Sequence, residues 1–237
     1  MRLIDFSFYC LLILSFSACT TSTFKKRTLS GKPSEILNEG MEKICLSGEG
    51  KGRFSFRGER QSFQFESLLD KKRRLWSTSY HFPLHGEESL FLNYKQVLKG
   101  DIGLEGSLHK KLIRDIDNLE AKKELEEFFH TFFLKFGHFL VIYENQSTLD
   151  CIPVERIEKV VRGQCFYGPQ KKSFMWEASK KNFTFSFPLN KKSDLFILHF
   201  SREKKAFFSK WTAILKKRIE NSFNFKVETY MDDCIGH

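Results

Sequence analysis

The sequence predicts an α+β fold: a strongly curved antiparallel sheet of about ten strands, an incomplete barrel, with helices covering its concave face. Three observations predict it. Short runs alternate apolar and polar residues on both sides of one long amphipathic stretch, and that stretch carries a face of phenylalanines. A sheet of that width must curl, which leaves an aromatic side for helices to cover. The chain holds 27 Phe in 237 residues, and Phe, lacking a polar handle, fills a core or lines an apolar cavity.

The elements follow in order. Ser34 to Leu46 opens on a capping serine and places Ile36, Leu37, Met41 and Ile44 at helical spacing. The glycines between Gly48 and Gly52 break that helix. Phe54 and Phe56 then alternate with Arg53, Ser55 and Arg57, and Phe63 and Phe65 alternate with Gln64 and Glu66, which is strand periodicity. Trp76, Thr78, Tyr80 and Phe82 share one face of a third strand. Leu90, Leu92 and Tyr94, and then Ile102, Leu104 and Leu108, complete an antiparallel meander.

From Asp117 to Gly137 the period changes. Leu125, Phe128, Phe129, Phe132, Phe133 and Phe136 form a wide apolar face, with Asp117 or Asn118 as cap and Gly137 as terminator. A second strand series reads as Val160 to Tyr167, Phe174 to Ala178, Phe183 to Phe187 and Leu195 to Phe200. The lysine pairs at 171–172, 180–181 and 191–192 fall in the intervening turns, so solvation is their main role. Ser201 to Glu220 reads as a helix, and Phe223 to Met231 as a closing strand. Alternation does not decide which face of the sheet is concave.

The N-terminus carries its own signal. Arg2 is a positive start, Phe6 to Phe16 are mostly apolar, and Ser17 and Ala18 are the small residues a signal peptidase requires. Cys19 follows directly. The pattern resembles a bacterial lipobox, with residues 1–18 a lipoprotein signal peptide and Cys19 the lipidated new N-terminus. The apolar run is shorter than the roughly 20 residues of a membrane-spanning helix. Residues 19–34 are polar and turn-rich and read as a flexible tether, leaving 35–237 as a single domain. Extended at roughly 3.5 Å per residue, the tether holds that domain within about 50 Å of its membrane. In such an envelope location the net charge of +10 points to anionic headgroups or an acidic client rather than to nucleic acid.

Four cysteines remain after Cys10 and Cys19: Cys45, Cys151, Cys165 and Cys234, an even number suited to an oxidising compartment. Chain position favours 151–165 with 45–234, and two other connectivities exist. No Cys-x-x-Cys, His-Glu-x-x-His, Gly-x-Ser-x-Gly or P-loop occurs. The sequence therefore nominates no catalytic residue, no metal ligands and no cofactor.

Gly48 to Gly106 is similar to the first half of LolB, the outer-membrane lipoprotein receptor of the LolA/LolB superfamily of half-barrel lipoprotein carriers. The resemblance lies in Gly52-Arg53-Phe54-Ser55-Phe56, Phe63-Gln64-Phe65, Leu75-Trp76-Ser77-Thr78-Ser79-Tyr80, and the loop Pro83-Leu84-His85-Gly86 before Leu90-Phe91-Leu92-Asn93. His85 departs from the family's loop glycine, and the helix at 201–220 and the four extra cysteines are foreign to its pattern. The resemblance implies a membrane-insertion loop of Phe82, Pro83 and Leu84, with Leu84 at the tip. A leucine there contributes at most roughly 1.5–3 kcal/mol on transfer to an apolar phase, enough for reversible contact.

The resemblance also implies an acyl-chain cavity. By alternation its lining is Phe54, Phe56, Phe63, Phe65, Trp76 and Tyr80 beneath Phe129, Phe132 and Phe133. The implied partners are membrane lipid through the N-terminal anchor, an acylated lipoprotein client and a periplasmic carrier. The expected function is lipoprotein or lipid transfer at the periplasmic face of the outer membrane. The alternative is a non-enzymatic structural or interaction lipoprotein with a filled core.

Overall fold

The computed structural model describes residues 27–28, 33–56, 59–82, 86–106, 119–152, 155–157, 159–189, 194–202, 207–216 and 225–235. The first part of the chain forms β1 (Arg27–Thr28), α1 (Pro33–Glu42), β2 (Gly48–Phe56), β3 (Glu59–Asp70), β4 (Leu75–Phe82), β5 (Gly86–Asn93) and β6 (Gly103–Gly106). A long helix, α2 (Leu119–Glu144), follows. The second part forms β7 (Asp150–Cys151), β8 (Glu155–Ile157), β9 (Val160–Tyr167), β10 (Lys172–Ala178), β11 (Asn182–Pro188), β12 (Leu195–Ser201), β13 (Lys210–Lys216) and β14 (Phe225–Met231).

These strands build one open antiparallel sheet in the order β1-β8-β9-β10-β11-β12-β13-β14-β2-β3-β4-β5-β6, with β7 beside β9. Two meanders, β2 to β6 and β8 to β14, meet where β14 pairs with β2. The expected ten-stranded incomplete barrel with helices over its concave face is overturned. The sheet is open, has fourteen strands of which β1 and β7 span two residues each, and is accompanied by one main helix.

The expected helix at 201–220 contributes most to that correction. Residues 210–216 are strand β13, paired with β12 through Phe200↔Trp211 and with β14 through Trp211↔Thr229. Trp211, Thr212, Ala213 and Leu215 are all buried, so the run shows no polar alternation and imitates a helix segment. Helix α2 also runs seven residues beyond its expected stop. A Cβ on Gly137 would lie 2.7 Å from Val97 Cγ2, so this glycine admits a close approach within the helix instead of ending it.

One face of the sheet carries most of the buried apolar side chains. Phe63, Phe65, Trp76, Leu90, Leu92, Phe174, Trp176, Phe183, Phe185, Phe196, Leu198 and Trp211 alternate onto it and join a single core with the apolar side of α2. On β2 this face carries Gly48, Gly50 and Gly52. The Phe63 ring stands where a side chain on Gly52 would be, and the Tyr230 carbonyl closes the space above Gly50.

Two disulfides tie this arrangement together, one beside the central β14–β2 junction and one on β9. Cys45–Cys234 joins the segment after α1 to the segment after β14, and Cys151–Cys165 links directly opposed residues of β7 and β9. This is the connectivity favoured by chain position. Several features of the sequence reading lie outside the described residues: the signal peptide at 1–18, Cys19, Pro83, Leu84 and most of the tether. Arg27 and Thr28, within that tether, pair with β8.

Candidate functional site

Of the residues nominated as a cavity, Phe54, Trp76, Phe129 and Phe132 meet at the interface between α2 and the sheet. Phe54 on β2 stacks on Phe129 with centroids 5.9 Å apart and lies 6.5 Å from Phe128. One turn on, Phe132 meets Phe196 at 5.9 Å and Trp211 at 6.4 Å. Phe136 then meets Trp76 edge-on at 4.8 Å, and Phe139 reaches Phe185 at 5.0 Å. Phe133 is buried against Phe129 and Phe132. Successive turns of the helix therefore rest on β2, on β12 and β13, on β4 and β13, and on β11 and β12, because the 3.6-residue period returns a ring to the same face about every 5.4 Å.

Phe63, Phe65, Trp76, Phe129, Phe132 and Phe133 are buried, and Phe54 and Tyr80 are half-buried. Phe56 closes β2, its side chain outside the described set. Phe82, nominated for the insertion loop, is 5% exposed and packs on Phe63 at 5.7 Å and Tyr80 at 6.4 Å. Burial also pushes the Tyr80 phenol well above its ordinary pKa. The ring therefore stays neutral and behaves as an aromatic filler with a hydroxyl.

A small void lies between helix and sheet. The void bounded by Phe65, Trp76, Tyr80, Phe136, Trp211 and Thr229 measures about 10 Å³. That holds about one water and is far below the roughly 300 Å³ at which small-molecule pockets begin.

A different concavity lies on the opposite, outer face. It is an open groove of about 620 Å³ across β14, β2, β3 and β4. Two rows of side chains form it by register: Tyr230, Lys51, Gln64 and His81 in one, and Glu228, Arg53 and Ser62 in the next. Glu228 is occupied by Lys226 at 2.9 Å and Lys210 at 3.4 Å. These lysines, together with hydrogen bonds, hold its carboxyl below the usual range against the cost of burial. Lys51 and Arg53 meet no acidic partner among the described residues. Sequence reasoning passed over this groove because its members appear only as the polar half of an alternation. The signal available was that lysine, arginine and histidine recur there at strand spacing.

Among the described residues, no helix is long and apolar enough to cross a membrane and no group of three His, Cys, Asp or Glu side chains gathers. No protein-family model matches the chain, and no curated protein matches it. The likeness to lipoprotein receptors therefore rests on the residue pattern between Gly48 and Gly106.

Proposed function

We propose that this chain is an exported, lipid-anchored protein of the bacterial outer membrane whose domain works through its surface, as a non-enzymatic interaction component facing the periplasm. The observation that carries the reading is the aromatic contact across the helix–sheet interface. Phe54 stacks on Phe129, Trp76 meets Phe136 and Phe132 meets Trp211, and the void bounded by Phe65, Trp76, Tyr80, Phe136 and Trp211 measures about 10 Å³. Export is supported independently by the Cys45–Cys234 and Cys151–Cys165 disulfides, which persist in oxidising compartments and are rare in reducing ones. The lipobox-like Leu-Ser-Phe-Ser-Ala-Cys at 14–19 supplies the anchor at Cys19.

A second reading, an acyl-chain-handling protein taking part in lipoprotein transfer, draws support from the aromatic character of both facing surfaces. It requires α2 to move off the sheet and expose Phe132, Phe136, Trp76 and Trp211 to the chain. Purification of the full chain from membranes separates the two. A stoichiometric protein partner with no co-purifying acyl lipid is the outcome expected here. Bound acyl chains detected by mass spectrometry, together with loss of α2 protection in hydrogen exchange on their addition, would establish the second reading instead.

A further inference from the structure

We propose that the outer-face groove is a binding site for a phosphate group. The chemistry of its lining argues for an oxyanion. Arg53 offers a planar fork of donors, Lys51 a point charge, and Gln64, Ser62 and Tyr230 neutral donors, all on exposed positions of adjacent strands. Neighbouring strands lie about 4.8 Å apart, so the donors on β14, β2 and β3 stand side by side over one groove.

Glu228 is the acidic side chain lining this groove and pairs with Lys210 and Lys226, whereas Lys51 and Arg53 form no ion pair among the described residues; Glu49, Glu66, Glu87 and Asp232 line the adjoining hollow on the far side of Lys51. Gly50 and Gly52 carry no side chain on the buried face of β2, so the strand sits close to Phe63 and to the Tyr230 backbone beneath the groove. A concave, donor-rich hollow suits a single phosphate-bearing group better than an extended flat surface. Both a lipid headgroup and a free phosphate present that chemistry.

The test uses the full chain and two probes: inorganic phosphate, and vesicles of phosphatidylglycerol against phosphatidylcholine. Saturable binding is expected, and Arg53→Gln and Lys51→Gln should each weaken it about tenfold. Lys180→Gln and Lys181→Gln, in an exposed turn away from the groove, should leave it unchanged. Binding of phosphate alone assigns a soluble ligand. Binding of phosphatidylglycerol vesicles that phosphate competes away assigns a headgroup. Failure of both probes, or equal weakening by the groove and turn variants, overturns the site. Far-UV circular dichroism of each variant checks that the sheet is intact, so a lost fold is not mistaken for a lost site.

Discussion

The ring of Phe63 occupies the space that a side chain on Gly52, its registered partner across β2 and β3, would need. Trp176 stands in the same relation to Gly163 across β10 and β9. Each pair lets a large aromatic lie over bare backbone, so the core gains ring area where the opposing residue contributes none. Gly52→Ala should therefore destabilise the fold by about 1–3 kcal/mol through overpacking. Gly50→Ala should cost more, because its obstacle is the Tyr230 carbonyl, which cannot rotate away. Urea unfolding of both variants measures this, and a Gly52→Ala protein as stable as the parent would refute the account.

Removal of a ring from the helix face tests the filled interface. Phe136 is 1% exposed and touches Trp76, Phe132, Phe139 and Trp211. Phe136→Ala should cost about 3–5 kcal/mol, because the rigid neighbours relax only partly into the hole. A loss under about 1 kcal/mol would mean that the interface yields easily, as a mobile lid requires.

The two disulfides should contribute unequally. Cys45–Cys234 spans 189 residues of sequence and Cys151–Cys165 spans 14. On the chain-entropy argument, the short loop accounts for about 3 kcal/mol and the long one for close to 5 kcal/mol. Paired Cys→Ala variants followed by thermal melts should rank them in that order. Equal effects would show that the long loop is already compact when unfolded.

His138 sets a direction for pH dependence. Its ring is 2% exposed on α2, edge-on to Tyr167, and burial followed by the charges of Lys172 and Lys135 lowers its pKa from 6.5 to about 3. The unfolded chain takes up that proton near pH 6.5, whereas the folded chain does so only near pH 3. The contribution is therefore complete above pH 6.5 and is lost as the solution is acidified towards pH 3, by up to about 1.4 kcal/mol per pH unit. His138→Leu should flatten the stability profile across that window relative to the parent. Parallel profiles would show that the histidine finds a partner for its proton.

The strands from Phe54 to Tyr94 and from Val160 to Phe200 were legible because each alternates between a buried and a solvated face. Residues 210–216 were not. Strand β13 lies between β12 and β14 with Thr212 buried on one side and Trp211 on the other, so the polar half of its pattern is missing. Gly137 misled for a related reason: a glycine that admits Val97 looks, in sequence, like one that ends a helix. Of the aromatic residues chosen for a cavity, Phe63, Phe65, Trp76, Phe129, Phe132 and Phe133 are buried in the core shared by the sheet and α2. Whether that core encloses space depends on how closely rings interlock, and composition carries no information on that. The groove at Lys51 and Arg53 was hidden because surface charge is common, and only the register of four strands shows these residues side by side.

The position of β14 between β13 and β2 bears on when the sheet can be assembled. Strands β2 to β6 leave the ribosome, or a translocation pore, long before the strand that joins them to the other meander. Until Phe225 to Met231 arrive, β2 and β13 each present an unpaired edge, and the core formed by Phe54, Trp76, Phe132 and Trp211 has only part of its walls. Among the described strands the one that closes the sheet is the furthest along the sequence, so topology delays completion of the sheet until β14 has been made.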